Sequence, residues 1–106
     1  MGKVLFVRVT SGLAPEELER RVQERRPRFQ KVPGLVQKIY GRDDATGDVC
    51  GLYFFDSGEA LARFRGSDLA KTIGAAYEAT AVRAEVYDVL FPLWPGRGPL
   101  ADGEAG

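Results

Sequence analysis

There is no histidine among the 106 residues of this chain, and only one cysteine, Cys50. The missing histidine excludes Ser-His and Cys-His nucleophile pairs, histidine-ligated haem and His-based zinc sites. A lone cysteine excludes an intrachain disulfide framework and leaves too few ligands for a structural zinc site. Acid–base chemistry therefore falls to carboxylates, Lys, Tyr, Cys50 or the substrate itself. Neither sign of charge dominates, since 15 basic residues balance 15 acidic ones. No global field then draws the chain to nucleic acid or to a membrane surface. No apolar run approaches the ~20 residues of a membrane helix. The segment MGKVLFVRVT lacks the apolar stretch and cleavage site of a signal peptide. The expectation from these absences is a cytoplasmic protein with no metal, no nucleic-acid partner and no membrane partner.

What is present is the composition of an ordinary globular domain, 44% hydrophobic and 28% charged. The pattern predicts one unit over residues 1–93 and an irregular, Pro- and Gly-rich tail over 94–106. KVLFVRVT (3–10) is β-branched and aromatic enough for a strand. Pro15 suits the first position of a helix, Glu16 and Glu17 suit its positive end, and Leu13 with Leu18 are spaced for a hydrophobic staple. Leu18, Val22 and Phe29 mark its buried stripe, with Pro27 expected to kink or end it near Arg25. Pro33-Gly34 opens a second strand in which Val36, Lys38 and Tyr40 share one face and Leu35, Gln37 and Ile39 the other. Asp43, Asp44 and Gly47 supply turn chemistry before a third strand, VCGLYFFD. Asp56 with Glu59 resembles a capping box for a helix burying Ala60, Leu61 and Phe64. Ser67 can cap a further helical piece that uses Leu69, Ile73 and Tyr77. The last strand is VRAEVYDVLF.

The order β-α-β-β-α-β predicts an α+β, ferredoxin-like fold: a four-stranded antiparallel sheet with both helices on one face. A sheet with one wet face should alternate apolar and polar residues. VLFV, VCGLYFF and VLF are apolar on both faces, and leaving such side chains wet forgoes roughly 1.5–3 kcal/mol each. The second face is therefore expected to pack on a second copy, sheet to sheet, giving a homodimer.

VPGLVQKIYG, GDVCGLYFFDSGEALARF and AEVYDVLFPL together resemble the dimeric α+β barrel proteins. The nearest likeness is to the YdhR-type monooxygenases, related to the antibiotic-biosynthesis monooxygenases. The resemblance covers about residues 3–93 and rests on PGL-x-x-K-x-Y followed by G-x-Y-x-F before a capped helix. It implies an apolar pocket between sheet and helices within each subunit. It also implies oxygenation of small aromatic or quinol-like substrates without metal or flavin, the substrate carbanion itself reducing oxygen. The same superfamily contains isomerases, haem enzymes and stress proteins. A non-catalytic dimeric module binding a small hydrophobic ligand, or a cyclase or isomerase using the same pocket, stays open beside the oxygenase.

In such a pocket Lys38, which matches the lysine of that pattern, and Tyr40 are the candidate catalytic contacts. Tyr53, Phe64, Tyr77 and Tyr87 are the candidate substrate-binding walls, and Gly51 leaves room above a central strand. The Lys38 ammonium could stabilise an enolate or phenolate, with desolvation lowering its pKa. The alternative for Lys38 is a stem lying on apolar surface with its head paired to a carboxylate at a sheet or dimer edge. Cys50 reads as a small buried hydrophobe, and Trp94 as a partly exposed tail residue or a latch across the partner. ERRVQERRPRFQK offers Glu–Arg pairs four residues apart and reads as a solvated, salt-bridged face. DDATGD lacks the spacing of a calcium loop, and the GRG of the tail opens no helix.

Overall fold

A computed structural model describes residues 2–96. Its elements run β1 (Lys3–Ser11), α1 (Pro15–Phe29), β2 (Leu35–Arg42), β3 (Val49–Phe55), α2 (Gly58–Arg65), α3 (Asp68–Lys71), α4 (Ile73–Ala76) and β4 (Ala79–Asp88). The strands form one sheet in the order β2-β3-β1-β4, every neighbouring pair antiparallel. This is the expected ferredoxin-like architecture. Part of the anticipated 94–106 tail, from residue 97 onward, lies outside the described residues.

Register decides which side chains meet the helices. Leu5 opposes Tyr53 and Val86, and Val7 opposes Gly51 and Ala84, so these residues share the helix-covered face. Leu5, Val7, Val9, Tyr53 and Phe55 are buried there with Leu18 and Phe29 of α1, and Ala60, Leu61 and Phe64 of α2. The aromatic part of this core is continuous. The Tyr53 ring lies 5.1 Å from that of Phe64 and 6.0 Å from that of Phe29, centroid to centroid, and stacks on Phe55 at 6.2 Å. Val4, Phe6, Leu52, Phe54 and Ile39 point to the opposite face, which no helix covers, and remain partly exposed.

Several local expectations are met and several are corrected. Leu13 packs on the core beside buried Leu18, as a staple requires. Ala14 supplies no side-chain cap. Pro27 does not end α1, which continues to Phe29 because burying that ring outweighs one lost backbone bond in the last turn. The α2 cap is Ser57, whose hydroxyl accepts from the Ala60 backbone N–H at 3.1 Å, one residue later than the Asp56 start expected. Ser67 caps the next piece as foreseen, but that piece divides at Thr72 into two single turns. In β2, a register shift between Leu35 and Gln37 leaves Val36 outside the ladder and 67% exposed. Leu35 therefore shares the helix-covered face with Lys38, where strict alternation would have set Val36.

Ion pairs tie the elements together. Arg8 bonds Asp48 at 2.9 Å and Asp43 at 2.7 Å, anchoring the β2–β3 loop, and Lys3 pairs with Asp88. On α1, Glu17 pairs with Arg21 as expected, and also with Arg20. Arg21 reaches further, to Glu78 at 2.9 Å, a residue held at φ 47° in the turn before β4.

Gly34 carries the sharpest backbone constraint. It has φ +78°, and an added Cβ would sit 2.4 Å from the Ala60 Cβ and 2.8 Å from the Asp56 Oδ1. Gly34→Ala is expected to lose at least about 2 kcal/mol of stability, combining left-handed strain with displacement of α2. Urea denaturation of the two proteins measures this directly; equal midpoints would contradict it.

Candidate functional site

A half-buried lysine whose amine lies among rings defines the site. Lys38 opposes Tyr53 across the β2–β3 ladder, and Tyr40 opposes Gly51. With no Cβ at Gly51, the Lys38 stem and the Tyr53 ring can both lie over it; an added Cβ would sit 3.0 Å from Lys38 Cε and from Tyr53 Cε1. The room that Gly51 leaves is thus filled by the lysine itself. Its Nζ lies 3.4 Å from the centroid of the Phe29 ring, 4.2 Å from Tyr40 and 4.3 Å from Tyr53. Among the described residues of this chain it forms no ion pair.

The electrostatics follow from that enclosure. Burial, with the nearby Arg25 guanidinium adding repulsion, pushes the Lys38 ammonium down to about 7. Three ring faces oppose the shift by attracting the cation, each worth on the order of 0.5–2 kcal/mol. Burial also pushes the Tyr40 hydroxyl up to about 12 and raises Tyr53 and Tyr77. The tyrosines therefore stay protonated around neutral pH. The cluster offers donors and cations, and among the described residues Tyr40 Oη and Arg25 Nε are both buried without a hydrogen-bond partner.

Arg25 and Phe29 are the members not anticipated as site residues. Arg25 crosses from α1 to donate from Nη2 to the Leu69 carbonyl at 2.9 Å and to Thr72 Oγ1 at 3.2 Å, with its guanidinium 5.7 Å from the Tyr77 ring. The signal was in the spacing: 18, 22, 25 and 29 form one helical stripe, and an arginine on an apolar stripe is drawn partly under cover. Reading the whole arginine-rich segment as a solvated face concealed it.

Of the expected walls, Tyr53 and Tyr77 join Lys38 and Tyr40 around a cavity of about 20 Å³. Phe64 touches Tyr53 but lines a separate, larger cavity of about 350 Å³ between α2–α4 and β4. Tyr87 is corrected: it opposes Val4 on the uncovered face of the sheet, is 51% exposed, and donates to Glu85 at 2.9 Å. It cannot line a cleft on the other side of its own strand. Cys50 is partly buried, and Trp94 is 61% exposed.

A four-stranded antiparallel sheet roofed on one face by helices, with a cleft between the layers, places the chain in the class of the antibiotic-biosynthesis monooxygenase fold. The solved structure of SnoaB, a cofactor-independent oxygenase from Streptomyces nogalater, superposes with a TM-score of 0.71 at 17% identity, over 87% of this chain and 96% of that one. Rv0793 from Mycobacterium tuberculosis gives 0.69 at 16%, over 87% and 98%. A putative antibiotic biosynthesis monooxygenase from Caulobacter crescentus gives 0.68 at 21%, over 85% and 91%. At these identities the likeness carries the fold. No curated protein matches the chain in sequence. The family model described as "Putative mono-oxygenase ydhR" matches residues 5–94, and the chain belongs to that family.

The buried amine makes stability depend on pH in a defined direction. Its folded pKa, near 7, lies below the unfolded value near 10.5, so the charged form is penalised on folding. The penalty is complete below pH 7 and disappears as pH rises through that window to the unfolded value. Lys38→Met is expected to be more stable than wild type at pH 6 by roughly 2–4 kcal/mol, with the difference fading toward pH 10. Paired urea titrations across pH test this; a constant difference would contradict the buried, unpaired amine.

Proposed function

We propose that this chain is a homodimeric, cofactor-independent monooxygenase acting on a small aromatic or quinol-like substrate at the sheet–helix cleft. The observation that carries the reading is Lys38, an amine enclosed by three rings with no acid beside it. An amine poised near 7 can take a proton from an activated C–H and then remain as the counterion of the carbanion or phenolate formed. The carbanion reduces dioxygen; a C–O bond forms, and loss of water with cleavage of the O–O bond leaves the carbonyl product. Tyr40, protonated and without a partner, supplies a hydrogen bond to the developing oxyanion. Tyr53 and Tyr77 are walls.

The dimer is supported by the uncovered sheet face and by the chain that follows β4. Val4, Phe6, Leu52, Phe54 and Ile39 form a continuous apolar surface without a helical roof. Leu90, Phe91 and Leu93 stand 80–83% exposed. An exposed patch of this kind marks an interface. Static light scattering should give twice the chain mass at micromolar concentration, and Phe6→Glu with Leu52→Glu should halve it. A monomeric wild type would remove the dimer from the proposal.

Oxygen uptake with a panel of anthrones and quinols tests the chemistry. Lys38→Met is expected to lower turnover by about 10²–10³-fold, and Tyr40→Phe by about tenfold. Full activity in Lys38→Met would refute the assignment. One observation favours a second reading, a ligand-binding module without turnover: the cavity beside Lys38, at about 20 Å³, has room for little more than a water molecule. Tight binding of a panel compound with no oxygen uptake would select it.

A further inference from the structure

The two cavities are neighbours through a thin wall. The small one at Lys38 and the large one beneath β4 share two lining residues, Val7 and Ile73. Each has half of what a ligand needs. The large cavity, at about 350 Å³, falls in the size range of small-molecule sites, and its walls are apolar: Leu5, Phe64, Ala70, Val82 and Ala84. The small cavity holds the polar groups but not the space.

The polar groups also specify a sign. Among the described residues Lys38 has no acid partner and Tyr40 Oη is buried and unpaired in the small cavity; Arg25, which is not part of that lining, has a buried, unpaired Nε nearby. Buried donors left unsatisfied cost stability, which an acceptor carrying negative charge would recover. The rim of the large cavity repeats that sign with Arg65 and Lys71, and among the described residues no carboxylate lines either cavity. We infer that the two cavities are one divided site for an aromatic anion, its rings beneath β4 and its charged end at Lys38, with Ile73 as the partition that controls their joining. The inference rests on the site proposed above but not on its oxygen chemistry.

Ile73 is placed where a partition can move. It begins α4, a single turn, directly after α3, another single turn. Thr72 ends one and starts the other, and its hydroxyl bonds back to the Asp68 carbonyl at 2.7 Å instead of capping α4. Helical pieces this short hold few internal bonds and open at low cost. Arg25 is their clamp from α1. Arg25 lines neither cavity, but it holds the same segment that carries Ile73.

Two fluorescent probes of matching ring structure test the idea: anilinonaphthalene sulfonate, an anion, and phenylnaphthylamine, which is neutral. The charged and titratable groups facing Lys38 are Arg25 from α1, Tyr40 on its own strand, Tyr53 from β3 and Tyr77 after α4. Of these only Lys38 changes charge near neutrality, so anion binding should weaken as the amine loses its proton. Ile73→Ala is expected to tighten sulfonate binding at least tenfold near pH 6, with that gain fading by about pH 9. The pH dependence should vanish in Ile73→Ala/Lys38→Met. Phenylnaphthylamine should show no pH dependence in any variant. Ile73→Val should give the same pattern at smaller amplitude if the alanine variant is poorly folded. A gain equal for both probes, or one that survives Lys38→Met, would mean ring burial or loosened structure alone and would overturn the inference. Oxygen turnover is not read, so failure of the oxygenase proposal leaves a different signature.

Discussion

The structure depends on a layer of aromatic rings between one sheet face and its helices. Tyr53 is at its centre, meeting Phe29 of α1, Phe64 of α2 and Phe55 of its own strand. Phe29, Tyr53, Phe55 and Phe64 are all buried between helices and sheet. This layer also makes the site, because Phe29 and Tyr53 are two of the three rings that enclose Lys38. Fold and chemistry are therefore not separable here: the residues that hold α1 on the sheet also desolvate the amine. A cation in such a place costs stability when charged, which is the usual mark of a group kept for something other than packing.

The one-sided roof has a second consequence. With the helices on the Tyr53 face, the Phe6–Leu52–Phe54 face has no cover among the described residues. The apolar residues after β4 have none either. A protein of this size does not need that second face for its own core, since Leu5, Val7, Val9 and the aromatic layer already form one. The two faces of β1 and β3 thus answer to different requirements, one to the fold of the chain and one to its association.

Most of the architecture was legible because period, punctuation and capping agree with the final fold. Pro33-Gly34 does mark the entry to β2, Ser67 does cap, and Lys38 does face the helices. What escaped was decided by single-residue offsets. The irregularity at Val36 moved Leu35 to the other face, which no alternation rule predicts. Tyr87 was assigned to the pocket on its chemistry, but register across β1 sets it opposite Val4 and away from the helices. Arg25 was hidden inside a run of charge whose other members do form surface pairs. The partition at Ile73 depends on how α3 and α4 divide at Thr72, a detail of capping that the residue pattern leaves undetermined.

Lys38 is a half-buried residue whose amine is held by rings, with no carboxylate beside it among the described residues. Its titration followed by NMR of the labelled side chain, with and without an aromatic anion, tests this most directly. The account predicts a midpoint near 7 in the free protein, moving upward when the anion binds. An ordinary lysine titration near 10.5, unmoved by the anion, would contradict it.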